Sequence, residues 1–97
     1  MEGINVMPPS LKVAFVGWCP EADGRMTLAC SAYDDNDRNW QIGVNSPDRA
    51  AAMRALKAVG LHGLSKARTS QFAPSDELRR RAVADADFVV FLPREVH

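Results

Sequence analysis

The sequence predicts an α/β fold, a parallel sheet with helices on both sides, on three observations. An apolar run, Val13–Val16, opens the chain proper with β-branched and aromatic residues and reads as a buried strand. A capped helix starts at Ser46-Pro47-Asp48, and a second continuous apolar run, Phe88-Val-Val-Phe-Leu92, lies near the end. The resulting alternation of strand, helix, strand, helix, helix and strand is the pattern of parallel strands joined by helical crossovers.

Taken in order, residues 1–10 read as a loose leader and 11–97 as a single domain. Lys12–Val16 is the first strand, and residues 17–24 are loop, punctuated by Pro20 and Gly24. In Arg25–Tyr33 the residues Met26, Ala29, Cys30 and Tyr33 fall at helical spacing, which predicts a helix. A hairpin back onto the first strand is the alternative, weakened because Thr27 is the one β-branched residue of Met26–Tyr33. Asp34–Arg38 is a polar turn, and alternating Trp40, Ile42 and Val44 make a second strand. Ser46 is the expected N-cap of the next helix, with Pro47 in its first turn, Ala52, Met53, Leu56 and Val59 on its inner face, and Gly60 as the stop. Residues 60–71 form a long polar connection. The last helix is capped by Ser75, carries Asp76 and Glu77 in its first turn and turns Leu78, Ala82 and Ala86 inward. Phe88–Leu92 is then a strand covered on both faces, ended by Pro93.

At 97 residues, 46% apolar and 25% charged, the chain has the composition of an ordinary soluble domain, with no run of the roughly 20 apolar residues a membrane span needs. Without an export signal, Cys19 and Cys30 are expected as reduced thiols in a cytoplasm. His62 and His97 show no ligand spacing with the thiols, so no metal or other cofactor is expected. Net charge is zero but uneven. Six acids against Arg25 and Arg38 give −4 over residues 20–48, and eight bases against Asp76 and Glu77 give +6 over residues 49–81. Arg54, Lys57, Lys66, Arg68, Arg79, Arg80 and Arg81 form the candidate basic patch, whose ordinary state is a pair of solvated helix faces and whose alternative is contact with nucleic acid or an acidic protein.

The chemistry-bearing pattern is Cys19-x5-Arg25. A thiol leaving a strand tip, followed at that spacing by a guanidinium, is one way to build a phosphate-cradling catalytic loop. Gly17, Trp18, Gly24, Met26 and Thr27 would line such a pocket. Pro20 removes a backbone donor, while Glu21 and Asp23 place negative charge where a thiolate and a bound anion need positive charge.

Three segments together carry a resemblance: Ser46-Pro-Asp-Arg-Ala with Ala55-Leu-Lys-Ala-Val-Gly-Leu61, then Leu64-Ser-Lys-Ala-Arg-Thr-Ser-Gln71, then Ala86-Asp-Phe-Val-Val-Phe-Leu-Pro-Arg-Glu-Val96. In these the chain resembles the low-molecular-weight protein tyrosine phosphatases, a family that includes thioredoxin-coupled arsenate reductases. The resemblance implies a flavodoxin-like fold of three layers, a short three-strand parallel sheet in the order 2-1-3 flanked by helices, with the site at the tip of the first strand. It also implies Cys19 as nucleophile and Arg25 as anion clamp, with Met26 where the family has Ser or Thr and Thr27 one residue out of register. Aligned instead on Phe15-Val16, the chain has Gly17 at the nucleophile and Asp23 at the arginine. No residue matches the family's general acid. The reading that follows is a catalytically degenerate phosphatase-like domain that acts by binding, through a homodimer or a protein partner at the open apolar edge of Phe88–Leu92. An active thiol phosphatase or arsenate reductase is the alternative, and nucleic-acid binding a weaker one.

Overall fold

The structure, a computed structural model, describes residues 10–69 and 74–93, with the backbone alone for Ser65, Arg68 and Thr69. It begins with an antiparallel meander of β1 (Leu11–Pro20), β2 (Met26–Tyr33) and β3 (Asn39–Ser46). Helix α1 (Arg49–Ala58) follows, then β4 (Leu61–His62), a single 3-10 turn, β5 (Arg68–Thr69), helix α2 (Asp76–Ala84) and β6 (Val90–Pro93). The strand order is β4-β1-β2-β3-β6, and β5 pairs with β1 farther along the edge that β4 starts.

This corrects the expected parallel 2-1-3 sheet and the flavodoxin-like fold that the resemblance implies. Among the described residues, parallel pairing is confined to β4 and β5 against β1, and the last strand lies against β3 instead of β1. The physical cause is local. β1 continues through Gly17, Trp18 and Cys19 to Pro20, and the chain reverses within Glu21–Arg25. The Glu21 N–H donates to the Arg25 carbonyl at 2.9 Å, the Gly24 N–H donates to the Glu21 carbonyl at 3.0 Å, and Gly24 takes the left-handed φ of +89° that closes the turn. A reversal this short returns the chain as an antiparallel neighbour.

Arg25–Tyr33 is therefore a turn end and a strand, and the expected helix does not form. β2 is the central strand, and every residue from Thr27 to Ala32 is buried. A strand buried on both faces has no alternation to read, so its small apolar residues match helical spacing as well as any other. The second hairpin is organised by Asp34, whose carboxylate accepts from the backbone N–H of Asn36 (2.8 Å) and Arg38 (2.9 Å) and from Trp40 Nε1 (3.0 Å).

The other two expected helices form where the sequence places them, with one shift at a cap. Asp48, not Ser46, caps α1, its side chain accepting from the Ala51 N–H at 2.9 Å, because Ser46 is held in β3 opposite Met26. Ser75 caps α2 as expected, accepting from the Leu78 N–H at 3.2 Å. Ala86 lies beyond α2 and is half-buried, so it is not part of that helix's inner face.

Alternation along β2 and β3 divides the sheet into two faces. On one, α1 seats Ala52 and Leu56 over Leu28, Cys30, Ala32, Ile42 and Val44, joined by Leu11, Val13, Val16 and Leu61. On the other, α2 seats Leu78 against Ala29 and Val90. Gly43 makes the second seat possible, since a Cβ there would stand 3.1 Å from Leu78 Cγ and Cδ1.

Candidate functional site

Cross-strand register puts Cys19, Thr27 and Asn45 in one row across β1, β2 and β3, on the α2 face of the sheet. Thr27 and Asn45 are both buried polar residues, and a row of this kind requires partners. It has them. Asn45 Nδ2 donates to Thr27 Oγ1 at 3.0 Å, and Thr27 Oγ1 donates to Glu21 Oε2 at 2.7 Å. Arg79 of α2 reaches the same carboxylate, its Nη2 donating to Glu21 Oε1 at 2.8 Å. At the other end, Arg25 Nε donates to Asn45 Oδ1 at 2.6 Å and its Nη2 to the Asn45 carbonyl at 3.1 Å, while the same Nη2 pairs with Asp87. Asp87 is fixed in turn by its own N–H, which donates to the Asn45 carbonyl at 2.8 Å, and it takes a left-handed φ of +73°.

Arg79, Glu21, Thr27, Asn45, Arg25 and Asp87 thus form one hydrogen-bonded relay that ties the β1–β2 hairpin to both ends of the α2 region. The Arg79 hydrogen bond, with help from Thr27, holds the Glu21 carboxyl below its ordinary value of 4.5 against the opposing effect of burial. The Arg79 guanidinium is held more firmly protonated, chiefly by its hydrogen bond to Glu21.

For the predicted loop the consequences are geometric. The backbone N–H groups of Glu21 and Gly24 are engaged inside the turn, and that of Arg25 donates to Asp23 Oδ1 at 3.0 Å. An anion cradle uses successive N–H groups aimed outward at one point, and these three already have acceptors within the hairpin. The Arg25 guanidinium, expected as an anion clamp, already holds one carboxylate and one amide.

The other expected pocket residues divide between the two faces. Gly17 is buried opposite Ala29, and Gly24 sits in the turn. Trp18 and Met26 occupy the α1-face positions of their strands, where the Arg49 guanidinium lies 4.7 Å from the Trp18 ring centroid. Cys19 is half-exposed on the α2 face and Cys30 is buried in the α1-face core, so the sheet separates the two thiols. Burial pushes the Cys30 thiol up to about 12, which leaves it an inert packing group.

The candidate basic patch is divided in the same way. Arg54 and Lys57 ride on α1, Arg79, Arg80 and Arg81 on α2 across the sheet, and Lys66 sits in the turn between β4 and β5. The side chain of Arg68 lies outside the described residues, as does His97. His62 shares a hydrogen bond with Ser10 Oγ at 3.1 Å. Among the described residues no group of three or more His, Cys, Asp or Glu is arranged to hold a metal, and no helix is long and apolar enough to cross a membrane.

Sequence reasoning missed Glu21 as a structural acid, and it missed Asn45 and Asp87 entirely. One signal for Asn45 existed, since Gln41, Gly43 and Asn45 alternate with Trp40, Ile42 and Val44 and mark a second, polar face of β3. Compared with family models, curated proteins and solved structures, the chain matches none of them.

Proposed function

We propose that this chain is a binding module that performs no thiol chemistry and self-associates through the edge of β6. The observation that carries the reading is the position of β6. It ends the sheet, and among the described residues it pairs with β3 alone. Beside it, Phe88 is 73% exposed, and Phe91 and Leu92 are half-buried. An edge strand presents unpaired N–H and C=O groups, and a two-fold axis lets the same edge on two copies satisfy one another in antiparallel pairing. The opposite edge, along β4 and β5, is made of two-residue pieces broken by a 3-10 turn and offers no comparable template.

The non-catalytic half of the proposal rests on the engaged state of Arg25 and of the turn N–H groups. Free thiols at Cys19 and Cys30, one of them buried in the core, suit a reducing compartment such as the cytoplasm. Sedimentation equilibrium is expected to give a concentration-dependent dimer, with Phe88→Asp weakening it; a clean monomer at sub-millimolar concentration would overturn the association. The thiol-enzyme alternative makes a separate demand, namely hydrolysis of p-nitrophenyl phosphate that disappears in Cys19→Ser. We expect no hydrolysis from either protein.

A further inference from the structure

A groove of about 540 Å³ runs along α2, lined by Asp76, Arg79, Arg80, Val83 and Ala84, with Glu21 of the β1–β2 hairpin facing them. The five helix residues recur at the spacing of a single helical stripe, so the groove is elongated along α2. Its volume falls within the roughly 300–1,000 Å³ of ligand sites.

Its chemistry is directional. Glu21 and Arg79 neutralise each other, and that pair is held rigid from below by buried Thr27 and Asn45. What remains is an exposed guanidinium on Arg80, which has no ion-pair partner among the described residues. One turn toward the helix start stands Asp76, and one turn toward the helix end stands Val83, an apolar side chain 46% exposed. An anion is drawn to Arg80, an N–H donor to Asp76, and an apolar side chain to Val83 and Ala84.

We propose that the groove docks a short acidic–apolar segment of a partner protein. Its carboxylate would lie on Arg80 beside the fixed Arg79, the following apolar side chain on Val83 and Ala84, and a backbone N–H toward Asp76. The charge complement selects a short peptide over a polyanion, because the Glu21–Arg79 pair is already neutral and Asp76 shares the groove with Arg80, leaving, among the described residues of the groove, one free cation and no run of positive charge for successive phosphates. The groove does not involve the β6 edge and stands whether or not the chain dimerises.

The test is an amide and arginine Nε chemical-shift titration of the full chain with acetyl-Glu-Leu-Leu amide, acetyl-Lys-Leu-Leu amide and a single-stranded oligouridylate. The acidic peptide is expected to shift the resonances of Arg79–Ala84 saturably and to bind about tenfold more tightly than the lysine peptide, the worth of one charge-assisted contact. Arg80→Glu, an exposed change that leaves Leu78 and Ala82 in place, is expected to reverse that preference. Equal response to both peptides, no saturable shift on α2, or stronger binding of the oligouridylate would overturn the proposal.

Discussion

On the α1 face, Ala52 and Leu56 sink into a continuous apolar layer drawn from β1, β2, β3 and β4. On the α2 face, Leu78 rests on Gly43, Ala29 and Val90, and beside this small apolar seat runs the polar relay from Arg79 to Asp87. The first face is held by area removed from water, at roughly 1.5–3 kcal/mol for each fully buried large side chain. The second is held by directional bonds, each of modest net worth but expensive to leave half-made. The α1 face is thus the foundation of the fold, while the α2 face is positioned by specific partners, and the candidate surfaces of this chain gather there.

Substitutions should separate the two faces, beginning with the largest effect. Leu56→Ala opens a cavity under α1 and is expected to cost about 2–5 kcal/mol, measured by urea denaturation. A loss below about 1 kcal/mol would mean that this core is not the foundation. Thr27→Val keeps shape but leaves the buried Asn45 Nδ2 without its acceptor and Glu21 with Arg79 as its one remaining side-chain donor among the described residues, for an expected loss of about 1–3 kcal/mol. In native-state hydrogen exchange that loss should appear in α2 and the β1–β2 hairpin before it appears in α1; uniform loosening would contradict the division.

The smallest effect is a pH dependence. Glu21 is held below its ordinary 4.5, so its contribution is present above that value and fades as pH falls through the lowered folded one. Below about pH 4.5 the native protein should lose stability more steeply than Glu21→Gln. The variant retains part of the slope, because Asp34 is also held low, chiefly by its bond to Trp40. Identical slopes would remove Glu21 from the clasp.

Of the α1 face, the helix itself and the alternating strand β3 were legible in the sequence. Their signals are local: Gly60 closing α1, Ala52 and Leu56 one turn apart, and alternation through Trp40, Ile42 and Val44. The α2 cap at Ser75 was legible for the same reason. β2 was not, because a strand buried on both faces shows no period of two, and the sheet order followed from that misreading. Nor was the relay. Arg79 meets Glu21 across 58 residues and Arg25 meets Asp87 across 62, separations over which no spacing rule reaches. Cys19-x5-Arg25 drew attention as a loop because its spacing suits one, while the same residues suit a strand end and a tight turn when Gly24 supplies the left-handed position.

The central claim is that Arg25 belongs to the α2-face relay and is not an open anion clamp. An arginine Nε titration with inorganic phosphate addresses it most directly. Arg25 Nε–H, bonded to Asn45 Oδ1 at 2.6 Å, should give a slowly exchanging resonance that collapses into the solvent-exchanged set in Asn45→Ala and does not move as phosphate is added. A saturable phosphate-dependent shift of that resonance, accompanied by the Glu21–Arg25 amides, would show the hairpin opening around an anion and would contradict the account.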